Sequence, residues 1–271
     1  MIDIIAEIGI NHNGSALIAY ELIEVAREAG CNYVKFQKRT PSICVPELQK
    51  NKRKMTPWGE MSYLEYKEHI EFCIDKYRFI DCCELPWFAS VWDIPSVDFM
   101  ECNFPETPYY KIPSALLTDC ELLLRASETG HAVILSTGMS TMHEIEIALN
   151  MLIAAPSVTL MHSVSCYPLE DENANLEAIE TLKTFGYPVG YSDHTKGIHM
   201  SCAAAAMGVT MIEKHITLDR TMWGTDQSAS LEPALLQHLV RNVRSIELGM
   251  GDGLKNEVQE CEQEALERLR P

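Results

Sequence analysis

The sequences VGYSDHT at Val189–Thr195 and VTMIEKHITLDRTMWGTD at Val209–Asp226 decide the fold. Each begins with a short apolar run and places a histidine, His194 or His215, just after it. Strands of a parallel barrel are buried on both faces and have such apolar runs, and barrel chemistry lies at their C-terminal ends. Two imidazoles on neighbouring strand ends can share a divalent metal, whereas two hydrogen-bonded structural histidines are the simpler alternative.

The composition limits the class of protein. The 271 residues have a hydrophobic content of 46%, enough for a large core, and a net charge of −17, which argues against nucleic acid and anionic membranes as partners. No apolar run approaches the ~18 residues of a membrane span, and the N-terminus lacks the features of a signal peptide. Ten cysteines without a CxxC motif predict reduced, buried thiols in a cytoplasmic protein.

Short β-branched runs alternate with longer amphipathic runs eight times, which predicts a single-domain (β/α)8 TIM barrel over residues 1–253. A doubly wound open sheet is the alternative, but no GxGxxG motif follows the first strand. A charged helix within 254–271 is expected to pack on the barrel. The predicted strands are Ile2–Ile8, Asn32–Gln37, Trp87–Val91, Tyr109–Ile112, Ala132–Leu135, Val158–His162, Pro188–Tyr191 and Val209–Glu213.

The connections carry further predictions. The polar stretch Lys38–Gly59 is predicted to be a long loop, and Ser62–Leu85 has a helical pattern. Thr118 and Glu121 have the spacing of a capping box. The last helix is predicted over Glu257–Leu269.

Polar side chains gather at the C-terminal ends of the predicted strands. The layers inside a barrel are normally Val, Ile and Leu, so this polar set indicates a site. Its lysines and hydroxyls suit a phosphate and a carboxylate. The set comprises Glu7, Asn11, His12, Asn13, Lys35, Gln37, Ser90, Lys111, Ser114, Ser136, Thr137, His162, Ser165, Tyr167, Ser192, His194, Glu213 and His215.

Other roles stay open for the same residues. Lys35 or Lys111 can be an ion-pair partner, or a lysine that forms a Schiff base, as in barrel aldolases. The serines can cap the helices that follow them. Glu7 can pair with Lys35 and do nothing else.

Seven motifs in unbroken order cover nearly the whole chain. They are AEIGINHNG (Ala6–Gly14), VKFQ (Val34–Gln37), YKIPSA (Tyr110–Ala115), ILSTGMS (Ile134–Ser140), HSVSCYP (His162–Pro168), GYSDHT (Gly190–Thr195) and EKHIT (Glu213–Thr217). Together they resemble the N-acetylneuraminate (sialic acid) synthase family. Those synthases condense phosphoenolpyruvate with an N-acetylmannosamine-like sugar aldehyde to give a sialic or nonulosonic acid and phosphate, with cleavage of a C–O bond.

The resemblance implies a role for each part of the set. His194 and His215 would bind a divalent metal, usually manganese, with magnesium or cobalt as alternatives. Glu7, Lys35, Lys111 and Glu213 would be catalytic. The phosphate of phosphoenolpyruvate would be bound by Lys111, Ser114 and Ser136, and its carboxylate by Lys35, Ser165 and Ser192. The acceptor sugar would contact Glu7, Tyr167 and Asp226. Gln37 and Ser90 would be further substrate-binding residues beside them.

Three features depart from the family pattern. Leu116 stands where many members have an acidic residue, Ser90-Val91 replaces a Ser-Thr pair, and Ser165 stands where Asn is frequent. The chain also ends at Pro271 without the antifreeze-like domain that usually covers the sugar, so the basic segment Lys38–Lys54 is a candidate lid. A homodimer is implied by the resemblance. A lysine-dependent aldolase and a non-catalytic sugar- or phosphate-binding barrel are the alternative functions.

Overall fold

The computed structural model describes residues 1–270, and eight of its strands close into a parallel barrel. The order around the barrel is β1-β10-β9-β8-β7-β6-β5-β2, while β3 and β4 form a separate antiparallel hairpin. The predicted (β/α)8 fold is therefore confirmed. The strands are β1 (Asp3–Gly9), β2 (Tyr33–Lys38), β3 (Arg53–Thr56), β4 (Gly59–Ser62), β5 (Trp87–Val91), β6 (Tyr109–Ile112), β7 (Ala132–Ser136), β8 (Val158–Ser163), β9 (Val189–Asp193) and β10 (Met211–His215).

Helices surround the barrel, and local signals set several of their ends. Ser15 caps the first helix by accepting a hydrogen bond from Ile18 N, and Gly30 ends it at φ +86°. The helices are α1 (Ala16–Ala29), α2 (Pro41–Cys44), α3 (Glu47–Lys50), α4 (Tyr63–Ile70), α5 (Ile74–Asp81), α6 (Ile94–Asn103), α7 (Cys120–Ser127), α8 (Met142–Met151), α9 (Ala178–Lys183), α10 (His199–Ala206), α11 (Pro233–Met250) and α12 (Gln263–Leu269).

Strand periodicity divides the barrel interior into an apolar layer and a polar layer. Ile5, Phe88, Ile134, Met161 and Met211 pack together as a buried cluster inside the barrel. A side chain two residues further along each strand points into the same lumen. Five strands therefore carry a polar residue directly above the apolar cluster, at Glu7, Ser90, Ser136, Ser163 and Glu213.

The segment predicted as a loop is folded. Residues 38–62 form α2, α3 and the β3–β4 hairpin, and the Asp93 carboxylate ties this segment to the barrel by accepting a hydrogen bond from Thr40 N at 2.6 Å. Lys38 is buried and its ammonium lies 2.6 Å from the Glu71 carboxylate. The lysine that begins the proposed lid is thus part of the packing between this segment and α4.

Two helix predictions were wrong. The helical pattern over Ser62–Leu85 is broken between α4 and α5, where Glu71 is extended at ψ 135° and its carboxylate accepts hydrogen bonds from Lys38 Nζ and Arg39 N. The capping box at Thr118 does not form either. Asp119 is the N-cap of α7 and accepts a hydrogen bond from Leu122 N.

The cysteines are more exposed than the sequence predicted. All ten cysteines are free, but only Cys31 is buried and six are exposed, so the prediction of buried thiols was wrong. The C-terminal segment contains α12, which has no buried residue, and its packing on the barrel stays a prediction. Within residues 1–270, no helix combines the length and the apolar character that crossing a membrane requires.

Candidate active site

A cavity of about 290 Å³ opens at the C-terminal end of the barrel. We call it the main cavity. Five of the polar strand-end residues, Asn11, His12, Asn13, Thr137 and His162, do not line it. Its lining does include thirteen of the fourteen residues that were given a catalytic, substrate-binding or metal-binding role. They are Glu7, Lys35, Gln37, Ser90, Lys111, Ser114, Ser136, Ser165, Tyr167, Ser192, His194, Glu213 and His215.

Asp226, the fourteenth residue, does not line the main cavity. It lies in the loop after β10 and is half-buried, where its carboxylate accepts a hydrogen bond from the hydroxyl of Thr225. The Asp226 charge is close enough to raise the pKa of Tyr167, a residue of the main cavity, after the larger effect of burial. Asp226 therefore lies near the main cavity without lining it, and contact with a bound acceptor at that position stays a prediction.

Four charged groups form a buried network at the bottom of the polar layer. Lys35 Nζ lies 2.9 Å from Glu7 Oε2 and 3.6 Å from Glu213 Oε1, while Lys111 Nζ lies 2.7 Å from Glu213 Oε2. Their side chains are at most 4% exposed. The register explains the contacts, because Glu7 is paired with Lys35 across β1 and β2. Glu213 on β10 thus bridges both lysines.

The network sets the protonation of its members. Burial alone would lower the pKa of Lys35, but the Glu213 and Glu7 carboxylates outweigh it and raise that pKa. Burial dominates at Lys111 and lowers its pKa to about 8, against the attraction of Glu213. Although burial favours a neutral acid, Lys111 and Lys35 lower the pKa of Glu213 to about 2. Both lysines are therefore cations at neutral pH, and Glu213 is an anion.

Hydroxyl groups converge on the backbone of Gly138 beside Lys111. Gly138 N donates a hydrogen bond to Ser114 Oγ at 3.0 Å, and Ser114 Oγ lies 3.3 Å from Ser163 Oγ. A Cβ added at Gly138 would lie 2.6 Å from Ser165 Oγ, 2.8 Å from Ser114 Oγ and 2.9 Å from Ser163 Oγ. The absence of a side chain at Gly138 therefore leaves room for three hydroxyls to face one small anion.

His194 and His215 lie side by side at the opposite edge of the main cavity, with ring centroids 5.8 Å apart. His194 Nδ1 is hydrogen-bonded to the Val164 carbonyl at 2.7 Å, which leaves Nε2 as the ligand atom. Burial, and then the neighbouring His215, lower the pKa of His194 to about 3, so that ring is neutral. His215 Nδ1 is buried and has no hydrogen-bond partner within residues 1–270.

These donors fit a divalent metal that keeps open positions. Neutral imidazoles are metal ligands, and an unpaired buried ring nitrogen is costly unless something binds it. Among residues 1–270, no group of three His, Cys, Asp or Glu side chains could hold a metal, so the two rings would leave most positions to substrate and water. The charges of the buried network also favour a metal. Two lysines and two carboxylates cancel, so a divalent cation would supply the positive charge that an entering anion needs.

Residues missed in the sequence are Ser163, Gly138, Trp92 and Met139. Ser163 and Gly138 belong to motifs that were recognised, and the position of Ser163, two residues after Met161, was the available signal. Trp92 and Met139 also line the main cavity. They could not be found in the sequence because the prediction considered only polar residues at the strand ends.

The fold and the site define a (β/α)8 barrel whose main cavity is lined by two buried lysines, several serine hydroxyls and a pair of imidazoles. The chain belongs to the NeuB family, whose model matches residues 22–255, so it is a transferase that condenses phosphoenolpyruvate. This confirms the resemblance inferred from the seven motifs.

Individual relatives cover almost the entire chain. It is 38% identical to the N,N'-diacetyllegionaminic acid synthase of Campylobacter jejuni over 93% of this chain and 78% of the relative. It is 36% identical to the N-acetylneuraminate-9-phosphate synthase of Homo sapiens over 98% of this chain and 76% of the relative. The crystal structure of the N-acetylneuraminic acid synthetase from Leptospira borgpetersenii superposes with a TM-score of 0.86 at 34% identity, over 98% of this chain and 90% of that chain.

Proposed function

We propose that the protein joins phosphoenolpyruvate to an N-acetylmannosamine-like sugar aldehyde and releases phosphate. The observation that carries the proposal is the main cavity, where two lysines, a hydroxyl cradle and two imidazoles face one volume of about 290 Å³. Family membership supports the phosphoenolpyruvate half. The identity of the acceptor sugar is the less constrained half of the proposal, because relatives named for legionaminic and for neuraminic acid are about equally similar to this chain.

Phosphoenolpyruvate is expected to lie across the buried network. Lys111 and the hydroxyls of Ser114 and Ser136 would hold its phosphate, because a cation and hydroxyl donors in a site shielded from water bind such an anion strongly. Lys35, with Ser165 and Ser192, would hold its carboxylate. The Ser192 hydroxyl donates to Glu213 Oε1 at 3.0 Å, so it would turn from Glu213 to donate to the phosphoenolpyruvate carboxylate.

The sugar aldehyde is expected between Glu7 and the two histidines. Glu7 Oε1 accepts a hydrogen bond from Gln37 Nε2 at 2.8 Å, and this contact fixes the position of the carboxylate. Tyr167 lines the main cavity beside the histidines, and its ring centroid lies 4.0 Å from that of His194. A divalent metal held by His194 and His215 would polarise the aldehyde as a Lewis acid.

The reaction then requires a balanced set of bond changes. C3 of phosphoenolpyruvate bonds to the aldehyde carbon, whose oxygen takes up a proton. Water adds at C2 and gives up one proton. The C2–O bond to phosphate then breaks as the new C2 hydroxyl loses its proton, so that hydrogen phosphate leaves and the 2-keto acid remains. Lys111 stabilises the departing phosphate, and the fixed positions of both reactants supply the proximity effect.

Phosphate release tests the proposal directly. We expect release with manganese and one sugar among N-acetylmannosamine, its 2,4-diacetamido relatives and mannose, and none after chelation or in His215→Ala. His143→Ala, which changes an exposed histidine on α8, is the matched control and should keep full activity. Oxygen-18 in the bridging position of phosphoenolpyruvate should appear in the phosphate.

Borohydride provides the opposite test. A lysine-dependent aldolase would be inactivated by borohydride in the presence of pyruvate, because the reagent reduces an imine at Lys35 or Lys111 to a stable adduct. Such an adduct would overturn the proposed mechanism.

Pairing of two chains into a homodimer stays a prediction. Light scattering, which measures the mass of the protein in solution, tests it.

A further inference from the structure

The connection between β10 and α11, residues 216–232, carries Asp226, and we call it the β10 loop. Its two ends are fastened together beside the main cavity. Leu231 N donates a hydrogen bond to the His215 carbonyl at 2.8 Å, and Thr217 N donates to the Leu231 carbonyl at 2.9 Å. Because these ends are fixed, the placement of the middle part, residues 219–226, decides where the Asp226 carboxylate lies. We call this middle part the tip.

The tip has few polar ties to the rest of the protein. Asn13 Nδ2 donates a hydrogen bond to the Trp223 carbonyl at 2.8 Å. The other hydrogen bonds that the tip makes within residues 1–270 stay inside the β10 loop. Aromatic contacts supply a second attachment, because the Trp223 ring packs edge-on against Tyr66 of α4 and against Trp58, with centroids 5.3 and 5.6 Å apart.

Trp58 reaches Trp223 from the turn of the β3–β4 hairpin. The turn is fixed by the Thr56 hydroxyl, which accepts a hydrogen bond from Trp58 N at 3.2 Å. The Trp58 ring also packs on His69 of α4, with centroids 4.3 Å apart, and it is 41% exposed. Lys54, on the same hairpin, has its Nζ 5.0 Å from the Trp223 ring. The hairpin therefore touches the β10 loop through Trp223.

Asp226 lies between this aromatic contact and the main cavity. Burial first, and the Asp226 charge second, raise the pKa of Tyr66 and also the pKa of Tyr167. Tyr66 packs on Trp223, whereas Tyr167 lines the main cavity. A shift of the tip would therefore move a carboxylate that acts on the main cavity.

We infer that Trp58 is a positioning residue, which packs on Trp223 and thereby holds the tip where Asp226 contacts the acceptor sugar. The inference rests on the proposed function, which brings an acceptor into the main cavity. An edge-to-face aromatic pair changes an equilibrium constant by roughly 3- to 10-fold. The contact is thus strong enough to bias the placement of the tip, and the barrel does not depend on it for folding.

Acceptor kinetics test the inference. Trp58→Ala should raise the KM of the acceptor sugar roughly 3- to 10-fold and leave kcat and the KM of phosphoenolpyruvate nearly unchanged. Trp58→Phe keeps an aromatic edge and should retain most of the acceptor affinity. Phe79→Ala is the matched control, because Phe79 is 45% exposed and packs on Tyr20 at a centroid distance of 6.1 Å, away from the β10 loop. An equal rise in both KM values for Trp58→Ala would overturn the inference.

A double-mutant cycle shows whether Trp58 acts through Asp226. If it does, Trp58→Ala raises the acceptor KM in the wild-type background and adds little in the Asp226→Ala background, because the carboxylate that it positions is gone. The same factor in both backgrounds would refute the inference, since it would show that Trp58 acts on the acceptor by another route.

Limited digestion with trypsin measures the attachment of the tip without any turnover. Arg220 lies in the tip, and its guanidinium donates to the Ser228 carbonyl at 2.8 Å, so cleavage after Arg220 requires the tip to open. Such cleavage follows the fraction of opened molecules. Trp58→Ala should therefore be cut there roughly 3- to 10-fold faster, and Phe79→Ala at the wild-type rate. Unchanged cleavage of Trp58→Ala would overturn the inference.

The two proposals fail separately. If no sugar turns over, the proposed function fails, and calorimetric titration of N-acetylmannosamine into the manganese-loaded protein then decides the inference. Weaker binding to Trp58→Ala than to the wild type supports the role of Trp58. Equal binding to both proteins, or no binding to either, refutes it.

Discussion

Replacing Lys214 with methionine tests how the two histidines are held. Lys214 and Asp193 precede His215 and His194, and their side chains point away from the lumen into the barrel wall. Both are 0% exposed, and Lys214 Nζ lies 2.9 Å from Asp193 Oδ2. Lys214 also donates to the Thr195 carbonyl, so one ammonium links the ends of β9 and β10.

Lys214→Met leaves the Asp193 carboxylate buried without a countercharge. Breaking a buried ion pair in this way costs about 3–5 kcal/mol of unfolding free energy. For a domain of this size the melting temperature should fall by roughly 6–20 °C. Because the pair flanks His194 and His215, the proposed metal ligands, manganese affinity should also fall about 10-fold.

Calorimetric melting and manganese titration measure the two effects. Lys196→Met is the matched control, since Lys196 lies 3.8 Å from Glu170 in an exposed pair worth at most about 1 kcal/mol. The double variant Asp193→Asn with Lys214→Met should be more stable than Lys214→Met alone, because no uncompensated charge remains. A loss below about 1 kcal/mol for Lys214→Met would refute this reasoning.

Three further outcomes are expected. Because burial lowers the pKa of Lys111 to about 8 and only its cation holds phosphate, kcat/KM for phosphoenolpyruvate should fall as the pH rises through about 8, and a pH profile checks this. Gly138→Ala places a Cβ within 2.9 Å of three serine hydroxyls, so the KM for phosphoenolpyruvate should rise roughly 10-fold or more, and the overpacking should cost about 1–3 kcal/mol of unfolding free energy. Chelation should weaken phosphoenolpyruvate binding, because the buried lysines and carboxylates cancel and leave an anion of charge about −3 uncompensated; calorimetry with and without manganese measures the difference.

The strands and the contents of the main cavity could be predicted because their signals are local. A buried strand needs a short β-branched run, and the period of two places each polar residue relative to the apolar one before it. Met161 and Ser163, or Met211 and Glu213, show the relation. Asp226 could not be placed in the same way, because it lies in a loop without a period.

The sequence by itself determined the eight-stranded barrel, the polar layer above an apolar one and the family. These follow from hydrophobic patterning and from ordered motifs, both of which are written along the chain. Only the tertiary structure decided that residues 38–62 fold and that α4 ends at Ile70. Each depends on partners distant in sequence, such as Glu71 for Lys38 and Asp93 for Thr40. Which carboxylate neutralises which cation is a property of packing, and it is therefore absent from any local pattern.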